Sequence, residues 1–245
     1  MSAAATGATA LRVLTQLRRD PRTVALLLFV PALLITLLRF VFDGRQETFD
    51  NLGGPMIGLF PFITMFLVTS ITMLRERTGG TLERLMSMPV GKLDLLGGYG
   101  IAFAVMAALQ ATITALVAFL ALGLDVGGSP TAVVALAIGN AVLGMSLGLF
   151  VSAFAGSEFQ AVQFMPAFIL PQLLLSGLFV AREQMAGALE LLSDALPLTY
   201  AFDALDRVAA GGEFGGRGWL DVTVIVGVTL LALALGALTL RRRTA

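Results

Sequence analysis

The sequence predicts an all-α fold, a polytopic membrane protein built from transmembrane helices, and two observations carry this prediction. First, 57% of the 245 residues are hydrophobic and only 13% are charged, whereas a soluble domain carries about 25% charged residues. Second, the apolar residues fall into blocks of about 20, the length that a helix needs to cross a bilayer. Open strands would leave backbone groups unsatisfied in lipid, so we expect helices.

Six apolar blocks predict six transmembrane helices within one membrane domain, residues 1–245. The third block is long enough to tilt or to project beyond the bilayer. No polar run is long enough to form a separate soluble domain. The six blocks cover about residues 23–42, 56–74, 95–124, 131–154, 164–180 and 219–240.

The segment before the first block, residues 1–22, contains a predicted amphipathic helix at residues 10–19. Leu11, Leu14 and Leu17 lie along one side of this helix, and arginines occupy the other sides. A short helix of this kind is expected to lie in the membrane interface.

The connection between the second and third blocks, residues 75–94, is charged and has a short helix of its own. Thr81 can cap this helix, and Pro89 ends or kinks it. One face is apolar and the other is charged, which favours a docking surface for a partner outside the membrane. A solvated connector whose charges only fix the topology is the alternative. The apolar face holds Leu82, Leu85 and Met86, and the charged face holds Glu83 and Arg84.

Polar and small residues inside the apolar blocks each allow two interpretations. Gly144 and Gly148 allow another helix to approach closely, and packing within the chain is favoured over a subunit interface. Pro166 and Pro171 break the fifth block, either as a hinge or as a plain kink. Uncharged polar side chains could join helices or line a transport path, and the pattern does not separate these roles; they are Gln110, Asn140, Gln160, Gln163 and Gln172.

The segment between the fifth and sixth blocks, residues 181–218, contains two predicted short helices. Met185, Leu189 and Leu192 recur at helical spacing in the first of them. The second follows Pro197, with Thr199 as the candidate N-cap. Both are amphipathic and are expected to re-enter the edge of the bilayer. The apolar face of the second holds Phe202, Leu205 and Ala209.

The distribution of lysine and arginine predicts the orientation, because cytoplasmic loops carry an excess of these residues. With six spans, the two termini and residues 75–94 share one side, which holds most of the basic residues. The protein is therefore expected in the inner or plasma membrane of the cell, with both termini in the cytoplasm. Residues 181–218 are then external.

Several classes of chemistry lack the residues they require. Histidine and cysteine are absent from the 245 residues, which removes disulfides, Ser-His catalysis and the commonest metal ligand. A phosphate-binding G-x-x-x-x-G-K-[ST] loop is also absent, so this chain is not expected to hydrolyse nucleotide by that route. An intramembrane enzyme and a non-transporting membrane scaffold or assembly factor remain the alternatives to a transporter.

Three stretches resemble the permease subunits of type-2 ABC transporters, which are mostly exporters. They are residues 17–22 (LRRDPR), residues 75–90 (RERTGGTLERLMSMPV) and the pair 175–179 (LSGLF) and 196–205 (LPLTYAFDAL). The chain departs from the family pattern in two places. Val180-Ala181 stands where the family has a proline, and Arg207 comes one position late.

The resemblance implies a permease subunit of an ATP-driven exporter that moves a lipophilic or amphiphilic substrate out of the cytoplasm or inner leaflet. Such a subunit assembles with a separate ABC ATPase, which binds ATP and magnesium, and with a second permease chain, identical or different. This chain itself is expected to bind no cofactor and no metal, to lie in the lipid bilayer and to have no nucleic-acid partner.

The resemblance also implies roles for individual residues. Residues 81–88 would form the coupling helix that contacts the ATPase, and residues 181–218 would shape the external gate. The coupling residues would be Arg75, Glu76, Arg77, Thr81, Leu82, Glu83, Arg84, Leu85 and Met86. The gate residues would be Gly177, Phe179, Pro197, Thr199, Tyr200 and Phe202.

Overall fold

A computed structural model describes residues 2–81, 85 and 91–239, and the regular secondary structure of this part is helical. The α-helices of the described part are α1 (Ala3–Arg18), α2 (Pro21–Val41), α3 (Gln46–Thr78), α4 (Lys92–Leu116), α5 (Pro130–Val151), α6 (Glu158–Leu175), α7 (Gly187–Asp194), α8 (Pro197–Ala209) and α9 (Gly215–Thr239). Helix α4 continues through a π-helical turn, Val117–Ala121, and α5 continues through a 3-10 turn, Ser152–Phe154.

Five helices of the described part are long and apolar enough to cross a membrane: α2, α3, α4, α5 and α9. They correspond to five of the six predicted spans, so a membrane protein with several apolar helices is confirmed. The predicted fifth span corresponds to α6, whose 18 residues include three glutamines and two prolines. It is less apolar than the other five, and the six-span topology stays a prediction.

Four predicted helix boundaries were wrong by five residues or more. Two are starts that come earlier than predicted: α1 begins at Ala3 instead of residue 10, and α6 begins at Glu158 instead of residue 164. The fifth block was predicted to be helical to residue 180, but α6 ends at Leu175, and Gly177 follows with φ of +98°. Glycine adopts this left-handed conformation without steric cost and ends helices for that reason. The second block was predicted to begin at residue 56, but α3 begins at Gln46 and contains Pro55. Burial of Phe49, which is 0% exposed, stabilises the additional turns.

The centre of the bundle is the contact between α3 and α5, which glycines bring close together. A Cβ atom at Gly144 would collide with the carbonyl oxygen of Phe62, and one at Gly148 would collide with that of Phe66. Thr69 Oγ1 also donates a hydrogen bond to the Met145 carbonyl oxygen at 3.1 Å. The glycine pair therefore serves packing within the chain, as the sequence favoured.

Helices α2 and α9 lie at the outside of the bundle. Only Leu27, Pro31 and Ile35 of α2 are buried, while Phe29 and Phe40 are 60% and 68% exposed. Large apolar side chains facing outward are expected of helices in contact with lipid.

Candidate functional site

Two amphipathic helices, α1 and α8, lie at opposite ends of the bundle. Helix α3 runs between them: a Cβ atom at Gly54 or Gly58, near its start, would collide with α8 side chains, whereas Glu76, near its end, forms an ion pair with Arg12 of α1. The two regions are called the α1 end and the α8 end below. The sequence predicted a functional segment at each of them.

Helix α1 packs on α4 at a glycine. A Cβ atom at Gly98 would collide with Thr9, so the two helices approach more closely than larger residues would allow. The Ser2 amide donates a hydrogen bond to Asp94 Oδ1 at 2.8 Å and fixes the start of α1 to the start of α4. Both contacts hold α1 against the bundle.

Only part of the predicted apolar face of α1 packs against the bundle. Leu17 is buried, but Leu14 is half-buried and Leu11 is 67% exposed. The face that contacts the bundle contains threonines, whose hydroxyls can bond to the preceding turn; Thr9 Oγ1, for example, donates to the Ala5 carbonyl oxygen at 2.9 Å. A search for leucine periodicity does not find such a face. The buried residues of α1 are Thr6, Thr9, Ala10, Val13 and Leu17.

A buried polar contact joins α1, α3 and α4. Arg12 Nη1 lies 3.8 Å from Glu76 Oε1, and the Glu76 side chain is 4% exposed. Arg12 Nη2 donates a hydrogen bond to the Tyr99 hydroxyl, and the Arg12 guanidinium lies over the Tyr99 ring, 5.4 Å from its centroid. One arginine of α1 therefore contacts both neighbouring helices.

This contact is incompletely satisfied. Glu76 Oε2 and Arg12 Nε are buried and have no hydrogen-bond partner in the described part of the protein. A buried polar atom without a partner costs about 1–3 kcal/mol, and more when the group is charged. Beside Glu76 lies a cavity of about 180 Å³, whose walls include Asp20, Arg75 and Thr81. The first residue of the predicted coupling helix thus lines the same cavity as Glu76.

The three residues at the end of α3 contact three different helices. Arg75 forms a bidentate ion pair with Glu158 of α6, with both N–O distances 2.8 Å. Glu76 pairs with Arg12 of α1, and Arg77 Nη2 donates to Thr239 Oγ1 of α9 at 3.4 Å. A displacement of the connection after α3 would therefore act on α1, α6 and α9 together.

Most of the predicted coupling helix lies outside the described residues, namely Leu82, Glu83, Arg84 and Met86. Thr81 is exposed, and Leu85 is half-buried and packs against the hydrophobic core of this chain. Leu85 therefore has a contact within the chain in addition to the partner contact that the sequence predicted.

At the α8 end, hydrogen bonds connect the short helix α7 to its neighbours. Ser193 Oγ donates to the Leu175 carbonyl oxygen at 2.8 Å and so connects α7 to the end of α6. Thr199 Oγ1 donates to the Ser193 carbonyl oxygen at 2.8 Å, and the Tyr200 hydroxyl donates to that of Asp194 at 2.6 Å. Two of the predicted gate residues thus position α7 against α8.

The predicted N-cap of α8 was wrong. Thr199 lies inside the helix, Leu196 is the N-cap residue, and Pro197 is the first helical residue. Proline favours this position because it has no amide hydrogen to satisfy and its φ angle already fits the helix. Of the other predicted gate residues, Phe179 is 64% exposed and Phe202 is half-buried.

Asn140 has an interhelical role. Its Nδ2 donates to the Ala201 carbonyl oxygen of α8 at 3.2 Å, and the asparagine is 2% exposed. Beside it, a Cβ atom at Gly58 of α3 would collide with Leu205 of α8. This contact holds α8 on α3 and α5.

The structure does not bring the predicted polar path residues together into one site. Gln110 is 0% exposed, and its amide has no partner among the described residues. Gln172 is 2% exposed and donates to the Phe168 carbonyl oxygen of its own helix at 3.0 Å. Gln160 and Gln163 are exposed.

A cluster of charged side chains that the sequence analysis did not single out lies at the α8 end. Arg182 Nη1 lies 2.9 Å from Asp194, and its Nη2 lies 3.1 Å from Asp203 of α8. Arg217 Nη2 of α9 lies 3.7 Å from the same Asp203 oxygen. Asp203 thus connects α8 with α9 and with the turn after α6. We call Arg182, Asp194, Asp203, Arg217 and Asp221 the α8-end cluster.

Burial raises the pKa of Asp203 above its ordinary value, although the nearby arginines Arg182, Arg217 and Arg207 act in the opposite direction. Burial also raises the pKa of Asp206, and the negative charge of Asp203 adds to that effect. A desolvated carboxylate keeps its charge less readily than one in water, which explains both directions.

A cavity of about 690 Å³ beside these residues is lined by Gly177, Arg182, Phe202, Asp206, Arg207 and Arg217, among others.

Asp221 of α9 is the most deeply buried member of the cluster. It is 0% exposed, and neither carboxylate oxygen has a hydrogen-bond partner in the described part of the chain. Its charge interacts with Asp203 and with Arg207, Arg217 and Arg182. The signal that could have found it is an acidic residue placed four positions after Arg217 within an apolar block. The residues described contain no group of three or more His, Cys, Asp or Glu side chains able to hold a metal ion.

A sequence model of the family described as ABC-2 type transporter matches residues 5–208, from α1 to nearly the end of α8. The chain belongs to this family. Both candidate regions, the α1 end and most of the α8 end, fall within the matched part of this ABC-2 permease.

Three curated relatives give the range of similarity. The chain is 25% identical over 170 residues to ABC transporter G family member 20 of Dictyostelium discoideum, covering 69% of this chain and 23% of the relative. It is 26% identical over 212 residues to the linearmycin resistance permease protein LnrN of Bacillus subtilis, covering 86% and 52%. It is 29% identical over 157 residues to the probable multidrug ABC transporter permease YbhR of Escherichia coli, covering 62% and 42%. The chain thus spans about half or less of these relatives.

Proposed function

We propose that this ABC-2 permease is the membrane subunit of an ATP-driven exporter and that a separate ABC ATPase docks on the connection after α3. The observation that carries the proposal is the set of contacts made by Arg75, Glu76 and Arg77 to α6, α1 and α9. A partner that moves this connection would act on three helices of the bundle at once. Such a contact can bias a two-state membrane assembly, as coupling to ATP binding requires.

The proposal includes a six-span topology with α6 as the fifth span, both termini in the cytoplasm and the α8 end outside. The excess of basic residues on the side of the termini supports this orientation. A second permease chain, identical or different, completes the pathway. ATP and magnesium bind to the ATPase.

A lipophilic or amphiphilic substrate is proposed because two relatives are named for linearmycin resistance and for probable multidrug transport. We propose export through an exit shaped by α7 and α8.

The first test is purification of the tagged chain from its native membranes into lipid nanodiscs. An ABC ATPase should be recovered in stoichiometric amount, and its ATP hydrolysis should rise when amphiphilic drugs are added. If the ATPase is absent, or is present without stimulation by any amphiphile, the non-transporting scaffold is the better account.

The second test is the variant Glu83→Lys in the segment that resembles a coupling helix. Membrane insertion should persist, while drug efflux driven by ATP is lost. Glu213→Lys is the matched control, because it makes the same charge change in an exposed loop at the α8 end. Normal efflux by Glu83→Lys would contradict the assignment of residues 81–88 to coupling.

A further inference from the structure

Arg217 lies close to two carboxylates that differ in their surroundings. Its Nη2 is 3.7 Å from Asp203 on α8, and Asp221 lies four residues further along α9. Side chains four residues apart occupy the same face of a helix. Asp203 has a second arginine, Arg182, at 3.1 Å, whereas Asp221 has no hydrogen-bond or ion-pair partner in the described ranges.

We propose that Asp203, Arg217 and Asp221 are positioning residues of the exit, and that Arg217 exchanges from Asp203 to Asp221 when α8 moves outward. In the present arrangement Arg217 and Asp203 hold α8 against α9. When α8 moves away, Asp203 leaves with it, and Arg217 pairs with Asp221 within its own helix. The inference rests on the proposed function, since it treats the α8 end as the exit.

Burial of Asp221 supplies the reason for the exchange. A carboxylate removed from water without a compensating partner is unfavourable, so an arrangement that brings it a cation is stabilised relative to one that does not. Loss of the Arg217–Asp203 pair on opening is thus offset by a new pair with Asp221. A two-state element requires two arrangements of comparable free energy.

The surroundings of α8 allow this movement. The cavity of about 690 Å³ beside Asp206, Arg207 and Arg217 leaves room for side chains to rearrange. Arginine has a long side chain with several donors, so Arg217 can bond to either carboxylate.

The test uses a reporter cysteine in a chain that has no cysteine of its own. Ala204 lies on the buried face of α8 and is 0% exposed, so the rate at which a membrane-impermeant maleimide labels Ala204→Cys measures how often α8 moves outward. Asp203→Asn should raise this rate by about fivefold or more, and Asp221→Asn should lower it by a similar factor. Asp206→Asn, a neighbour that lines the cavity without an ion pair in the described residues, should change the rate by less than about twofold.

Opposite directions for the two aspartates are the decisive result, because a merely structural role would make both variants loosen α8. If Asp221→Asn leaves the rate unchanged or raises it, the exchange is wrong. A second measurement repeats both variants in an Arg217→Gln background. There Asp221→Asn should have no further effect, and a full remaining effect would also overturn the proposal.

Failure of this inference can be told apart from failure of the proposed function. Labelling reports the position of α8 in the permease alone, whereas stimulated ATP hydrolysis reports the exporter. Stimulated hydrolysis together with equal labelling of all variants would leave the exporter standing and remove the exchange.

Discussion

Helices α1 and α8 are both amphipathic and both pack on glycines, but charged groups hold them differently. At the α1 end, the buried Glu76 has one cationic partner in the described part of the chain, Arg12. At the α8 end, Asp203 lies between two arginines from different elements, and a second buried carboxylate, Asp221, lies nearby. The α1 end is therefore held by one ion pair and by the Arg12–Tyr99 and Ser2–Asp94 hydrogen bonds, while Asp203 and Asp221 at the α8 end have alternative cationic partners. This difference fits the proposed function, in which the α1 end lies beside the ATPase contact and stays rigid while the α8 end forms a movable exit for the substrate.

The largest expected difference between the two ends comes from removing one arginine at each. Arg12→Ala should destabilise the protein by about 3 kcal/mol, because it leaves the buried Glu76 without a cation. Arg182→Ala should cost less, about 1–2 kcal/mol, since Asp203 keeps Arg217 and the Asp194 side chain is exposed, although Arg182 itself is mostly buried. Thermal unfolding in detergent measures both, and Arg18→Ala, at an exposed position of α1, is the control. Equal losses of stability for Arg12→Ala and Arg182→Ala would show that the two ends do not differ in this way.

A smaller effect is expected from pH at the α8 end. The folded pKa of Asp203 is raised above its ordinary value. Between the unfolded and the folded pKa, the native state therefore holds a proton that the unfolded state has already lost. Stability from this group is therefore greatest at low pH and decreases as pH rises toward the folded pKa. Asp206 contributes in the same direction, and the arginines Arg182, Arg207 and Arg217 stay charged.

The measurement is thermal unfolding of the unmodified chain and of Asp203→Asn between about pH 4 and pH 7. This range begins near the pKa that an aspartate has in the unfolded chain. The unmodified chain should lose stability relative to the variant as pH rises. If the curves of melting temperature against pH were parallel for the two proteins, Asp203 would not contribute to the pH dependence of stability.

Much of the fold could be predicted from the sequence, because hydrophobic blocks report directly on helix length. The glycine pair Gly144 and Gly148 was also predicted correctly as a packing contact within the chain. The full length of α3 was not predicted, since its first ten residues are mostly polar or small and are stabilised by burial of Phe49 rather than by a hydrophobic block. The threonine-rich face of α1 was missed for a related reason, as threonine gives no hydrophobic period.

The candidate sites were predicted less completely. A periodic pattern identifies a face of one helix, but it does not say which helix lies opposite. The pairs Arg12–Glu76, Arg75–Glu158 and Arg182–Asp203 join residues that are distant in sequence or lie in different elements, so only the fold reveals them. Arg75 and Glu76 were chosen as coupling residues through the family resemblance, and the structure adds the helices that they contact.

The most direct test of a rigid α1 end and a movable α8 end is a pair of spin-label distances in the cysteine-free chain, measured together with the proposed ATPase. One pair, Ala8 and Leu93, reports α1 against α4, and the other, Asn51 and Ala210, reports α3 against the end of α8; all four positions are exposed. Between the nucleotide-free and ATP-trapped complexes, the first distance should stay constant and the second should lengthen. A constant Asn51–Ala210 distance together with separation of Ala8 from Leu93 would contradict the account.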